Sequence, residues 1–234
     1  RFGRIIPWGG DDVQLVTDAS IARRDAATAR AARGLYASAL KRAFDLLLAL
    51  VLLPPVLAVL LPLMLLVALD GHSPLYVQPR LGRGGRPFRM LKLRTMVPDA
   101  EARLAGHLAR DPRARAEWDL HQKLRRDPRV TPVGAFLRRS SLDELPQILN
   151  VLMGQMSFVG PRPMLPEQRA LYPGTEYFAM RPGITGFWQI SARNASSFAE
   201  RAQFDRRYFQ ALSFATDAAV LLRTLRVVLR GTGC

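Results

Sequence analysis

Residues 46–69 form an uninterrupted run without a single charged side chain, from Leu46 through Pro54-Pro55 and Pro62 to Leu69. As one straight helix the run would be about 36 Å long, enough to cross a bilayer. Three features oppose that default. Pro54-Pro55 removes two consecutive N–H donors and sets ring atoms against the preceding turn. A break there leaves arms of roughly 12 Å and 21 Å, each too short to span. Both flanks are also basic, with Lys41 and Arg42 before the run and Arg80, Arg83, Arg86, Arg89, Lys92 and Arg94 after it. Positive flanks favour the cytoplasmic side, so both ends are asked onto one face. A re-entrant helix–break–helix, dipping into one leaflet with Pro54 and Pro55 at its break, meets all three conditions, and a spanning helix is the competing reading. The run is too long for the apolar core of a secretory signal.

The remainder of the chain is strongly basic. Its 234 residues carry 34 Lys and Arg against 19 Asp and Glu, a formal charge of +15. That length suits one domain with a sizeable core. The charge asks for an anionic partner: nucleic acid, an anionic bilayer surface or a phosphorylated substrate. No helix-turn-helix, RNA-recognition or zinc pattern is present, and a nucleic-acid binder has no use for residues 46–69, so no nucleic acid is expected. Cys234 is the only cysteine, which excludes a disulfide framework and fits a reducing compartment. His72, His107 and His121 lack metal-ligand spacing.

Residues 1–40 read as a tail followed by a short lead-in helix. Residues 74–94 read as a β-hairpin, with strand-like Tyr76-Val77 and Phe88–Leu93 and a turn at Gly82, Gly84 and Gly85. Alternation on its second strand puts Lys92 and Arg94 on one face, which suits a phosphate or simply a solvated edge. Residues 98–126 are charged and helical in pattern, divided at Asp111-Pro112 and stopped by Asp127-Pro128. Residues 156–188 are dense in Pro and Gly, and prolines on both sides stiffen the backbone at Arg162. Residues 197–211 read as a helix whose Phe198, Phe204, Tyr208 and Phe209 enter a core. Residues 213–230 read as a last helix with an apolar face edged by Arg223, Arg226 and Arg230, suited to a membrane interface or to core packing. Strands are few, so the expected fold class is α+β, helix-dominated.

Residues 140–147, Ser-Ser-Leu-Asp-Glu-Leu-Pro-Gln, set Asp143 and Glu144 just after Arg138 and Arg139. Ser141 and Glu144 fit a capping box opening a helix over 141–153. Adjacent carboxylates also fit chemistry in which one attacks and the other holds a metal.

The chain resembles the bacterial sugar transferases, the monotopic phosphoglycosyl transferases, from about Lys41 to its end. The resemblance is carried in order by Lys41-Arg42-Ala43-Phe44-Asp45, Lys92-Leu93-Arg94-Thr95-Met96 and Ser141-Leu142-Asp143-Glu144-Leu145-Pro146-Gln147. Asn150-Val151-Leu152, Met156 through Pro163, and Arg181-Pro182-Gly183-Ile184-Thr185-Gly186 follow. It implies transfer of a sugar 1-phosphate from a UDP-sugar to polyprenyl phosphate. Asp143 is then the nucleophile and forms a phosphosugar–aspartyl ester, and Glu144 holds Mg²⁺. Arg94, Arg138, Arg162 and Lys92 are the phosphate-binding candidates. The resemblance further implies a monotopic protein at the cytoplasmic face of a bacterial inner membrane. Three segments follow: the tail at 1–40, the re-entrant membrane helix at 41–73, and a catalytic domain at 74–234 with an interfacial C-terminal helix. Gly186-Phe187-Trp188-Gln189 and the closing Arg230-Gly231-Thr232-Gly233 resemble exopolysaccharide-type members, favouring glucose or galactose as the sugar. The rival expectation is a non-catalytic, basic, membrane-anchored scaffold, which leaves Asp143 and Glu144 without a task. The sugar, the prenyl length and the oligomeric state, a homodimer included, are left open.

Overall fold

The computed structural model describes residues 34–121, 124, 126–191 and 198–229. The tail expected before residue 34 and the closing Arg230–Gly233 string lie outside them. A lead-in turn at Tyr36–Leu40 runs directly into helix α1, Lys41–Ala68. A β-hairpin follows, β1 at Leu75–Leu81 paired antiparallel with β2 at Pro87–Leu93, as the alternation and the glycines predict. Gly84 and Gly85 both take positive φ in its turn, a conformation that a Cβ disfavours.

Helices α2 (Ala100–Arg110) and α3 (Pro112–His121) divide at Asp111, whose Oδ1 accepts the N–H groups of Arg113 and Ala114. This satisfies free donors at the start of α3. Then come α4 (Pro132–Ser140), a 3-10 turn at Leu142–Glu144, and α5 (Gln147–Leu152). The short strands β3 (Ser157–Val159) and β4 (Gly183–Thr185) pair in parallel, separated by a 3-10 turn at Pro166–Leu171 and by α6 (Glu176–Ala179). Helices α7 (Phe187–Ile190), α8 (Arg201–Ala211) and α9 (Phe214–Leu229) complete the described chain. The architecture is helix-dominated with a small antiparallel hairpin, as expected. The parallel pair was not foreseen. It depends on close backbone approach, because a Cβ on Gly183 would lie 2.1 Å from the Gly160 nitrogen.

Helix α1 corrects one expectation. Helical backbone continues through Pro54, Pro55 and Pro62, so the run is not divided into two separate arms. Missing donors and ring clashes bend a helix without ending it when its neighbours hold the path. Those neighbours are present on both sides of the proline pair. Leu48, Ala49, Leu52 and Leu53 pack into a core with Ile148, Val151 and Phe158. Leu57, Leu60, Leu63 and Val67 pack into a second core with Leu93 and Leu137. Burial of Leu60 and Val67 contributes about 2 kcal/mol each. The opposite face exposes Leu47, Leu50, Val51, Val59, Leu61, Leu65 and Leu66. The helix is long and apolar enough to cross a membrane.

Both ends of α1 are tied to the same domain. Buried Asp217 of α9 accepts Lys41 Nζ at 2.6 Å and the hydroxyls of Tyr36 and Tyr208, each at 2.7 Å. The Arg42 guanidinium donates to the carbonyls of Val151 and Leu152, at 2.6 and 3.0 Å. At the far end, Arg94 donates to the Val67 carbonyl at 3.0 Å and to both oxygens of Asp70. Helix α9 buries Val220 and Asp217 while Phe214, Leu222 and Leu225 stay exposed, so it combines core packing with an open apolar face. Phe209 of α8 is also exposed rather than in the core.

Candidate active site

Asp143 and Glu144 do not open a helix as the capping-box reading expects. Ser141 adopts the left-handed region, φ 56, and closes α4, its N–H bonding to the carbonyls of Arg138 and Leu137. The carboxylates fall on the 3-10 turn that follows. Pro146 occupies the N-cap position of α5, so that helix starts after the acidic pair. The pair therefore sits at a junction between two helices, fixed by α4 on one side and by the buried Gln147, Ile148, Asn150 and Val151 on the other.

Strand β2 supplies the cation. Lys92 Nζ lies 2.8 Å from Glu144 Oε1 and 3.6 Å from Asp143 Oδ2. Asn150 holds that strand in place: its Oδ1 accepts the Leu91 N–H at 2.9 Å, and its Nδ2 donates to the Arg89 carbonyl at 2.8 Å. Arg138, in the last turn of α4, donates Nε–H to Thr95 Oγ1 at 2.9 Å. Helix α4 lies close against the Thr95 backbone, and a Cβ on Gly134 would stand 2.0 Å from the Thr95 carbonyl oxygen.

Asp143 is 8% exposed. Burial pushes its carboxyl above the usual aspartate range, Lys92 and Arg138 pull it back, and the neighbouring Glu144 charge raises it. A partly desolvated carboxylate beside a lysine is a better nucleophile than one solvated by water, provided it stays ionised. Burial lowers the Arg138 pKa, and the Asp143 charge opposes that only in part.

The four predicted phosphate ligands divide. Lys92 contacts both carboxylates, and Arg138 feels the Asp143 charge while it binds Thr95. Arg94 does not join them: it clamps Asp70 and the carbonyls of Val67 and Ser73 at the end of α1. Arg162 stands apart with its guanidinium 5.5 Å from the Trp188 ring. Sequence reasoning missed Arg80, whose guanidinium senses both Glu144 and Arg162, and Arg201, which lies 4.4 Å over the same Trp188 ring.

Among the described residues no group of three or more His, Cys, Asp or Glu could enclose a metal. That does not oppose Mg²⁺, which is commonly held by one or two carboxylates together with substrate phosphates. Asp143 and Glu144 fit that donor set, with Lys92 sharing Glu144.

The model of the bacterial sugar transferase family matches residues 36–231. A UDP-galactose-lipid carrier transferase of Erwinia amylovora is 46% identical over 196 residues, covering 83% of this chain and 41% of that protein. An undecaprenyl-phosphate galactose phosphotransferase of Salmonella typhimurium is 42% identical, with the same two coverages. The exopolysaccharide production protein ExoY of Rhizobium meliloti is 43% identical, covering 82% of this chain and 87% of that protein. The chain thus spans about two fifths of the first two relatives and most of the third.

Proposed function

The chain belongs to the bacterial sugar transferase family, and on that premise we propose that it transfers a sugar 1-phosphate from a UDP-sugar to polyprenyl phosphate, undecaprenyl phosphate being the acceptor named for a relative. Asp143 Oδ attacks the sugar-bearing phosphorus. The bond from that phosphorus to the bridging oxygen breaks, UMP departs with both electrons, and a phosphosugar–aspartyl ester remains. A phosphate oxygen of the lipid then attacks the same phosphorus, the ester bond breaks, and Asp143 returns as a carboxylate with polyprenyl diphosphate sugar as product. Two displacements replace one direct encounter between two bulky anions.

The observation that carries this reading is Lys92, which contacts both carboxylates at once. A carboxylate approaching a diphosphate meets charge repulsion, and Lys92 and Arg138 reduce it. Glu144, with the donor's phosphates, would hold Mg²⁺, which when bound neutralises the diphosphate and the departing UMP. Glucose and galactose are the favoured sugars, in line with the galactose in two relatives' names, and exopolysaccharide synthesis is the matching role.

The same reading places the protein monotopically at the cytoplasmic face of the inner membrane. Support comes from the two tethered ends of α1, at Arg42 and at Val67. A helix bound to one domain at both ends, exposing leucines between them, returns to the face it entered. The apolar side of α9 would lie in the same interface. A test of the reaction is Mg²⁺-dependent UMP release across a panel of UDP-sugars with undecaprenyl phosphate, in nanodiscs. Release with UDP-glucose or UDP-galactose is expected, and no release with any donor would overturn the reading in favour of a non-catalytic anchor.

A further inference from the structure

An open groove of about 690 Å³ lies between the turn of the β1–β2 hairpin and the segments that lead into β3 and β4. That volume suits a small ligand. Arg83 and Arg86 come from the turn, and Arg181 comes from the segment before β4. Among the described residues that line the groove none is acidic. The rings of Phe88 and Phe178 supply its apolar surface, and glycines at 82, 84 and 154 add no side chain to it.

The cations are gathered closely. Arg181 is fixed by its Nε–H, which donates to the Gly154 carbonyl at 2.9 Å. Two more guanidiniums stand at the border. A Cβ on Gly154 would lie 3.5 Å from Arg42 Nη2, and one on Gly85 would lie 2.8 Å from Arg169 Nη1. Arg169 itself is 5.2 Å from the centre of the Phe178 ring. Burial lowers the Arg181 pKa, the Arg42 and Arg83 charges lower it further, and Asp45 opposes them. Converging like charges concentrate positive potential and draw an anion. Guanidiniums bind phosphate oxygens as planar two-pronged donors.

The groove is separate from the carboxylate pair. Phe88 lines it, whereas Lys92, which contacts both acids, lies further along β2, about 13 Å away on an extended strand. Its place in the fold selects the source of the phosphate. Gly154 directly follows Met153, which is 57% exposed. Arg42 stands at the head of α1, just before the charge-free run. A bilayer that receives α1 brings its headgroups to that border, and anionic headgroups attract basic residues there. A soluble anion has no use for either feature. We propose that the groove lined by Arg83, Arg86 and Arg181 seats the phosphate of an anionic lipid headgroup and so fixes this end of the domain on the bilayer. This assignment rests on the monotopic placement given above and is independent of the reaction.

The test is native mass spectrometry of the full chain in a non-ionic detergent, titrated with phosphatidylglycerol, with phosphatidylcholine and with inorganic phosphate. Arg181→Gln and the double variant Arg83→Gln with Arg86→Gln are compared with a matched double, Arg110→Gln with Arg113→Gln, on the exposed surface of α2 and α3. Thermal melts identify any variant that fails to fold, and the double variant on the exposed turn carries the test if Arg181→Gln does not fold. The expected result is a rise of about 10-fold or more in the Kd for phosphatidylglycerol in the groove variants. The matched double should bind like wild type, and wild type should hold phosphatidylcholine more weakly than phosphatidylglycerol. Equal phosphatidylglycerol affinity in all proteins overturns the proposal. An equal loss in the matched double also overturns it, because net charge alone then sets binding. Lost inorganic phosphate binding with phosphatidylglycerol binding intact gives the groove to a soluble anion and overturns it too. Flotation of wild type with phosphatidylglycerol vesicles tests the placement separately. Absence of flotation removes the monotopic placement, while phosphatidylglycerol binding lost only in the groove variants still supports the headgroup site.

Discussion

Replacing Lys92 with methionine removes a cation that touches both carboxylates while keeping most of the side chain's length. Lys92 Nζ and Asp143 Oδ2 are 3.6 Å apart, and both side chains are largely shielded from solvent. At that separation the pair interacts by roughly 1 kcal/mol in a water-like dielectric and by roughly 4 to 5 kcal/mol at an effective constant of about 20. Asp143 should therefore titrate higher in Lys92→Met, because the cation that favours its charged form is gone. Loss of the Lys92 contact to Glu144 adds to the shift, because the Glu144 charge then opposes ionisation of Asp143 with less screening. The sign follows from Asp143 acting as a carboxylate: protonation removes the nucleophile, so activity is present above its pKa and lost as pH falls through it. Burial already sets that pKa above the ordinary aspartate range, and the variant moves it further toward neutrality. The assay is the single-turnover burst of UMP without lipid acceptor, followed from about pH 5 to about pH 9. The acid limb should move upward in Lys92→Met and stay near wild type in Lys92→Arg, which keeps the charge. An acid limb in Lys92→Met that coincides with wild type would refute the electrostatic role of Lys92.

Glu144→Gln should lose at least about 100-fold in turnover and flatten the Mg²⁺ titration, because a hard cation prefers carboxylate oxygen; turnover and titration equal to wild type would remove the metal role. Single cysteines at Ser38 and Ser73 in a Cys234→Ser background should both resist a membrane-impermeant thiol reagent in intact cells, since Arg42 and Arg94 bind both ends of α1 to one domain; labelling of either one means that α1 spans. Pro54→Ala with Pro55→Ala restores two donors, straightens α1, and should expose one of those cysteines; continued protection of both in that variant would show that the prolines do not set the topology.

The hairpin was legible because its strands are long enough to show alternation and its glycines mark the turn. Alternation failed at Arg94, which lies one residue beyond the last residue of β2, where its N–H bonds the Pro74 carbonyl; the face it would share with Lys92 no longer exists there. The acidic pair stood out in the sequence, but its local structure was misread. The capping-box pattern at Ser141 and Glu144 competes with a left-handed Ser141 that ends α4, and Pro146 delays the next helix. The parallel pair β3 and β4 gave no periodic signal, being three residues per strand among Pro and Gly. Arg80 and Arg201 were missed because they are 121 positions apart and meet only through the loop carrying Arg162. Lys41, read as part of the basic flank of the apolar run, forms an ion pair with the buried Asp217, a partner far along the chain with no local signature. The proline pair was read as a break, but packing on both sides of it keeps the helix continuous.

The central claim is that Asp143 becomes covalently attached to the transferred phosphosugar. Wild-type protein incubated with sugar-labelled UDP-glucose or UDP-galactose and Mg²⁺, without lipid, should retain label after the nucleotide is removed. Peptide mapping should place it on Asp143, Asp143→Asn should retain none while melting like wild type, and undecaprenyl phosphate should discharge it. Turnover of Asp143→Asn at a near wild-type rate, or label that maps to another residue, would contradict the account.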